Sequence, residues 1–102
     1  MRLDKYLKLS RLVKRRSVAA EMIDAGAVRL NGRPAKPASD VADGDIVSVA
    51  FPFRLVEARV ISSDERALRR GETAAEIVAE RRLDPEKNPW DDQAESLQGG
   101  HR

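Results

Sequence analysis

The first sixteen residues read Met1-Arg-Leu-Asp-Lys-Tyr-Leu-Lys-Leu-Ser-Arg-Leu-Val-Lys-Arg-Arg16. Leu3, Tyr6 and Leu7 recur at helical spacing, which predicts a first helix over residues 3–9 that ends near Ser10. Residues 2–16 also carry seven bases and a single acid. This stretch decides the fold because it supplies a helix with one apolar face, and it concentrates positive charge on that helix and on the turn that follows.

The charge of the chain is divided unevenly along its length. Residues 1–36 hold ten Lys/Arg and three Asp/Glu, a balance of +7, whereas residues 37–102 hold nine and fourteen, a balance of −5. Such polarity is typical of a protein with one half that faces a polyanion and one half that keeps it soluble. A merely solvated helix face is the alternative, but the density of bases in residues 2–16 favours nucleic-acid binding.

Composition excludes several classes of protein. At 102 residues with 41% hydrophobic and 4% aromatic side chains, the chain can form one small aliphatic core. The absence of cysteine and the single histidine, His101, exclude a disulfide framework and argue against a metal or cofactor site. Because residues 2–16 alternate charged and aliphatic groups, we expect neither an export signal nor a membrane span, and therefore a cytoplasmic protein.

The rest of the chain predicts a second helix and a small sheet. Ser17 is a candidate N-cap for the second helix, and Gly26 fits the left-handed position at its end. Val28-Arg29-Leu30 is a short strand, and Asn31-Gly32 is a strong hairpin signal. After the turn at Asp43-Gly44-Asp45, strands are expected from Ile46 to Phe51 and over residues 54–61. The prediction is an α+β fold of two short helices packed on a small, mostly antiparallel sheet.

The last forty residues are predicted to form a helix and a tail. Thr73-Ala74-Ala75-Glu76 matches a capping box, which predicts a third helix to about Arg82 that stops before Asp84-Pro85. Residues 84–102 are polar and are expected to be mostly disordered, with no role assigned to Trp90. The expected organisation is an RNA-binding domain over residues 1–62, a helical extension over 63–83 and a tail over 84–102.

The residues that could carry chemistry form no catalytic set. The carboxylates are scattered, and Asp4 is expected to act structurally by favouring the helix dipole and orienting Arg2 or a neighbouring base. Since aromatics are scarce, Tyr6, Phe51 and Phe53 are expected in the core or at a sheet edge, and a base-stacking sheet is not expected. The helices should therefore bind a phosphate backbone through their basic side chains, with Lys14-Arg15-Arg16 just before the second helix.

The order of short motifs resembles the RNA-binding domain named after ribosomal protein S4. The matching elements are Arg2-Leu3-Asp4-Lys5, Ser10-Arg11, Gly26-Ala27-Val28, Val28-Arg29-Leu30-Asn31-Gly32, Lys36-Pro37, Val41 and Gly44-Asp45. The resemblance covers roughly residues 1–50 and implies two helices on a small antiparallel sheet. With the basic residues identified above, it gives the following expected RNA-binding set: Arg2, Lys5, Lys8, Ser10, Arg11, Lys14, Arg15, Arg16 and Lys36.

The N-terminal run also resembles the RqcP (YabO) group of bacterial ribosome-quality-control factors. That resemblance implies a protein that binds the large ribosomal subunit after a stalled ribosome splits and that contacts rRNA and peptidyl-tRNA. It also implies a partner of the RqcH type, which adds a C-terminal alanine tail to the nascent chain. Arg2 and Arg16 match the important RNA contacts of the group. The acidic tail departs from the related heat-shock-protein-fifteen group, which usually has a long basic extension.

Three alternatives remain open at this point. A heat-shock-type recycling factor of the large subunit is the nearest one. A DNA-binding helix-turn-helix regulator is less favoured, because the second helix exposes few side chains that could read bases. An RNA-modifying enzyme is disfavoured because residues 54–102 cannot supply a catalytic domain. A monomer is expected, since no large apolar face is left over once the core is assigned.

Overall fold

The computed structural model describes residues 1–90, which form three helices and five strands. The helices are α1 (Leu3–Leu9), α2 (Arg16–Asp24) and α3 (Glu65–Arg69). The strands are β1 (Val28–Leu30), β2 (Arg33–Pro34), β3 (Ile46–Ala50), β4 (Arg54–Val60) and β5 (Ala75–Arg82). All strand pairs are antiparallel, in the order β2-β1-β3-β4-β5, so the predicted α+β class is confirmed.

The main core lies between the helices and one face of the sheet. Leu3, Tyr6 and Leu7 are fully buried on α1, and they share this core with Ala19 and Ile23 of α2. Successive residues of a strand point to opposite faces of a sheet, so alternate residues of β1, β3 and β4 complete the core. These strand residues are Val28, Val47, Val49 and Val60. The helical spacing of the apolar residues in α1 therefore predicted the buried face correctly.

The predicted turns are present where the sequence placed them. Asn31 and Gly32 have φ of 52° and 78°, the left-handed conformation that the hairpin between β1 and β2 requires. The Asn31 side chain also accepts a hydrogen bond from the amide of Ile46 at 2.9 Å, which fixes the start of β3. Asparagine at this turn thus stabilises the next strand as well as its own hairpin.

The start of α2 differs from the prediction that Ser17 caps it. The N-cap is Arg15, which makes no side-chain capping bond, and Arg16 is the first helical residue. Ser17 lies inside the first turn, where serine has only an average helix propensity. The first turn of α2 consequently has neither a capping side chain nor an acid.

The prediction of a helix over residues 73–82 is wrong. Residues 75–82 form β5, which pairs with β4 from Arg54↔Arg82 to Val60↔Ala75 with one irregularity near Glu57. A capping box stabilises only the first turn of a helix, whereas the strand gains a full ladder of hydrogen bonds with β4. The third helix lies upstream at Glu65–Arg69, where the Asp64 carboxylate accepts from the Arg66 amide at 3.0 Å.

The expectation of disorder from residue 84 onward is wrong for residues 84–90. Residues 83–90, called the C-terminal strap from here on, follow β5 and run past the end of β3 to the end of α2. Leu83 and Trp90 pack with Leu55 in a second, smaller core. The Trp90 indole donates to the Gly26 carbonyl at 2.7 Å, and the Arg29 guanidinium lies 4.6 Å from the ring centroid. The remaining tail, residues 91–102, lies outside the described residues.

No helix within residues 1–90 combines the length and the apolar character that crossing a bilayer requires.

We expect Trp90→Ala to lower the free energy of unfolding by about 3 kcal/mol, because the truncation empties the second core and breaks the bond to Gly26. Urea unfolding followed by circular dichroism measures the change. Trp90→Phe, which keeps most of the apolar packing, serves as the control and should cost less. Since Trp90 is the only tryptophan, its fluorescence reports directly on the strap. Water-exposed emission in the native wild type would contradict this placement.

Candidate nucleic-acid interface

Two arginines are held by one buried carboxylate at the start of α1. Asp4 is only 4% exposed, and it accepts from Arg2 Nε at 3.2 Å and from Arg2 Nη2 at 3.3 Å. Arg16 Nε lies 3.5 Å from the same carboxylate. The side chains of Arg2 and Arg16 are 52% and 47% exposed, so their guanidinium groups are fixed on one side and open to solvent on the other. We call this arrangement the arginine fork.

Backbone contacts hold the fork in place. The amides of Leu3 and Asp4 donate to the carbonyls of Ser39 and Pro37 at 2.8 and 3.1 Å. Arg2 forms an isolated antiparallel bridge with Asp40. The beginning of α1, and with it the fork, is therefore tied to the loop between β2 and β3.

The fork also determines the ionisation of Asp4. Burial by itself raises the pKa of this carboxyl, but the hydrogen bonds from Arg2 and the Lys5 amide and the charge of Arg16 outweigh it. The pKa of Asp4 is consequently lowered, and the carboxylate is charged at neutral pH. The expectation that Asp4 orients Arg2 agrees with this geometry, which adds Arg16 as a second partner.

The N-terminus of α2 adds further positive potential beside the fork. Lys14 and Arg15 are exposed, and they come immediately before the first helical residue, Arg16. Since no side chain caps α2, its first amides can donate hydrogen bonds to an anion, and the helix dipole adds to the attraction. The predicted basic run and the fork therefore lie together at the start of one helix.

A second group of bases lies around the end of α1 and the turn to α2, and it shares Lys14 with the run beside the fork. Lys8, Arg11 and Lys14 line a groove that α3 closes on the opposite side with Leu68 and Arg69. Arg11 has φ of 66°, the left-handed conformation at the end of α1 where glycine is usual. Ser10 supports this turn, because its hydroxyl donates to Leu7 at 3.1 Å and accepts from Leu12 at 3.4 Å. Ser10 is thus a turn residue in this structure, and its RNA contact stays a prediction.

Lys5 and Lys36 have different surroundings from the other predicted bases. Lys5 is paired with Glu65 and is only 27% exposed, so it links α1 to α3. Lys36 is exposed and begins a turn in which its amide donates to the Ser39 hydroxyl at 2.9 Å. That turn is the loop that supports the fork, which places Lys36 on the edge of the same surface. RNA contacts of both lysines stay predictions.

Sequence reasoning missed Arg69 and Glu65. Glu65 binds Lys5 and also accepts from Arg69 Nε at 2.9 Å, which connects the extension to the basic surface. A link between residues 5 and 65 has no local sequence signal. It becomes visible only when α3 is placed against α1.

Comparisons with known proteins show the family to which the chain belongs. The S4 domain model matches residues 1–47, which contain the fork, the first turn of α2 and the β1–β2 hairpin. A heat shock protein 15 of Vibrio cholerae, solved as a trimer, superposes with a TM-score of 0.65 at 30% identity, over 78% of this chain and 82% of that one. Fold and site together define an RNA-binding protein of the S4-domain class.

Sequence relatives identify the family within that class. The RQC P-site tRNA stabilizing factor of Listeria monocytogenes is 44% identical over 87 residues, which cover 82% of this chain and 92% of the relative. The protein of the same name in Bacillus subtilis is 52% identical over 60 residues, covering 59% of this chain and 70% of the relative. The chain belongs to the family of RQC P-site tRNA stabilizing factors, which confirms the resemblance seen in its first residues.

We expect the contribution of Asp4 to stability to depend on pH. Its folded pKa lies below its unfolded value near 4, so the contribution is complete above that value and is lost as pH falls through the folded pKa. Asp4→Asn should therefore unfold at lower urea concentration than the wild type at pH 7, and the gap should narrow toward pH 2. Urea unfolding at a series of pH values measures this gap. A gap of constant size would contradict the assignment.

We expect Arg11→Gly to separate stability from binding. Glycine adopts the left-handed conformation without the strain that arginine bears, so the free energy of unfolding should stay the same or rise by about 1 kcal/mol. RNA affinity should nevertheless fall, because a basic side chain leaves the groove. Urea unfolding and filter binding to bulk tRNA measure the two effects, with Arg11→Ala as the variant that loses charge but keeps the strain. Undiminished binding by Arg11→Gly would rule out a contact from Arg11.

Proposed function

We propose that this protein is a non-catalytic factor that stabilises tRNA on large ribosomal subunits left by stalled translation. It clamps rRNA and P-site tRNA with the arginine fork and the start of α2, in the cytoplasm. The observation that carries the proposal is the buried Asp4, which holds Arg2 and Arg16 at a solvent-facing edge where both can reach phosphates. The name of the relatives, RQC P-site tRNA stabilizing factor, supports the choice of substrate.

Electrostatics suit this role. Arginine binds phosphate with two parallel hydrogen bonds, and a guanidinium that is already oriented by a carboxylate loses less side-chain entropy on binding. The expected RNA contacts are phosphates rather than base edges, since the surface consists of bases and helix amides. Such a clamp recognises the shape of folded RNA, and a stalled subunit presents both rRNA and tRNA.

The tailing partner follows from the same proposal. A factor that holds peptidyl-tRNA in place allows a second protein of the RqcH type to extend the nascent chain. The protein itself then needs only to bind, and no catalytic group is required of it. The proposed complex contains one copy of the chain, in keeping with the monomer expected from its sequence.

A heat-shock-type recycling role is the second candidate. The superposition on heat shock protein 15 at 30% identity favours it specifically. The two roles predict different tRNA contents of the co-purifying large subunits, because a tRNA-stabilising factor should co-purify with subunits that retain tRNA. Enrichment of large subunits without tRNA would favour the second candidate.

We expect the fork to determine ribosome association. Tagged wild-type protein should sediment with large subunits that retain tRNA in a density gradient, whereas Arg2→Ala/Arg16→Ala should move to the top. A matched control is Arg54→Ala/Arg59→Ala, which removes two arginines of similar exposure that pair with Glu80 and Glu76 on β5. The control should sediment like the wild type. Wild type that remains at the top would overturn the proposal.

The fork variant leaves Asp4 buried without its partners, which can destabilise the fold. A triple variant that adds Asp4→Asn removes the uncompensated charge, so a lost association can be assigned to the arginines. In binding to bulk tRNA, about five phosphate contacts give a slope of log affinity against log salt near −4. Each single arginine substitution should flatten that slope by about one unit. A salt-independent affinity would exclude the electrostatic clamp.

A further inference from the structure

A basic groove lies between the α1–α2 turn and α3, at the C-terminal end of α1. Its charged walls are Lys8, Arg11 and Lys14 on one side and Arg69 on the other. Leu9, Val13 and Leu68 form its apolar remainder, and among residues 1–90 no carboxylate lines it. Of the four bases, Glu65 offsets the charge of Arg69 only, so the groove keeps a net positive charge and favours an anionic occupant.

Arg69, like the arginines of the fork, donates to a carboxylate, although its partner Glu65 is 41% exposed. Its Nε donates to Glu65 at 2.9 Å, while its side chain stays 59% exposed. Glu65 also pairs with Lys5 of α1, so α3 is fixed to the helix that carries the rest of the groove. Asp4 therefore links two arginines at the start of α1, and Glu65 links Lys5, in the first turn of the same helix, to Arg69 of α3.

The strained backbone of Arg11 is an independent observation on the same groove. A residue other than glycine in the left-handed conformation costs on the order of 1 kcal/mol, and such strain is concentrated at functional sites. Arginine at this position places a positive charge on the groove wall at the expense of stability. A turn that served only to join α1 to α2 would not need that charge.

We propose that this groove is a second phosphate-binding site for RNA, completed by Arg69 from outside the segment that matches the S4 domain. The inference rests on the proposed function and extends it. Arg2 precedes α1 and Arg11 follows it, so the seven residues of the helix, roughly 10 Å, separate these two arginines. Lys14 lies between the groove and Arg16 of the fork, so the two clusters form one continuous basic surface that suits two neighbouring phosphates of a folded RNA. The extension thus contributes to affinity as well as to the core.

The test compares two neighbouring arginines of the extension. Arg69→Gln removes the groove cation, whereas Arg70→Gln removes a cation that pairs with Glu72, is 61% exposed and does not line the groove. With bulk tRNA as the probe, Arg69→Gln should weaken binding about tenfold, the size expected for one charge-assisted hydrogen bond. Its salt slope should flatten by about one unit, while Arg70→Gln should stay close to the wild type. Trp90 fluorescence and circular dichroism verify that both variants are folded.

The outcomes separate this inference from the proposed function. If wild-type protein binds tRNA and Arg69→Gln binds as well as Arg70→Gln, the groove site is excluded and the fork remains. If wild-type protein binds neither tRNA nor large subunits, the proposed function itself fails. Combining Arg69→Gln with Arg2→Gln gives a further check, since separate sites should add in free energy. A combined loss no larger than that of Arg2→Gln alone would also overturn the second site.

Discussion

The structure depends on the burial of one carboxylate beside two arginines. An ion taken out of water costs several kcal/mol unless charges and hydrogen bonds replace the lost solvation. Asp4 obtains that compensation from Arg2, Arg16 and the amide of Lys5. Since these partners belong to the beginnings of α1 and α2, the carboxylate ties the two helices together. The desolvation cost of the two arginines is small, because about half of each side chain remains exposed to water.

Core and binding surface are built from the same short segment. Leu3, Tyr6 and Leu7 are fully buried, and the bases of α1 alternate with them along seven residues. A displacement of the apolar face would therefore also move the fork and the groove. The Tyr6 side chain also has two roles, because its ring fills the core while its hydroxyl donates to the Ala74 carbonyl at 2.6 Å and joins α1 to the segment before β5. Burial raises the pKa of Tyr6, so this hydroxyl keeps its proton and stays a donor.

The sequence predicted the features whose signals are local. The apolar spacing of α1, the Asn31-Gly32 turn and the basic run each depend on a few neighbouring residues, and the structure has all three. The sequence predicted a helix over residues 75–82 because the capping signal is local. The hydrogen bonds with β4 that make this segment a strand form only in the tertiary fold. Trp90 was missed for the same reason, since its acceptor on Gly26 is 64 residues away. In the candidate site, the N-terminal motif predicted Arg2 and Arg16 as RNA-binding residues. That Asp4 holds both arginines became visible only from the distances in the structure.

The extension beyond the S4 segment is required by the physics of a small core. The match ends at residue 47, yet Val60, Leu68 and Ala74 are buried in the same cluster as α1 and α2. A chain of about fifty residues buries too little apolar surface to be more than marginally stable. The residues that complete the core also bring Glu65 and Arg69 against α1, so the same addition stabilises the fold and supplies Arg69 to the proposed second phosphate site. A variant that loosens α3 should therefore weaken the groove before it affects the fork, because Arg69 of the groove depends on Glu65 whereas Arg2 and Arg16 depend on Asp4.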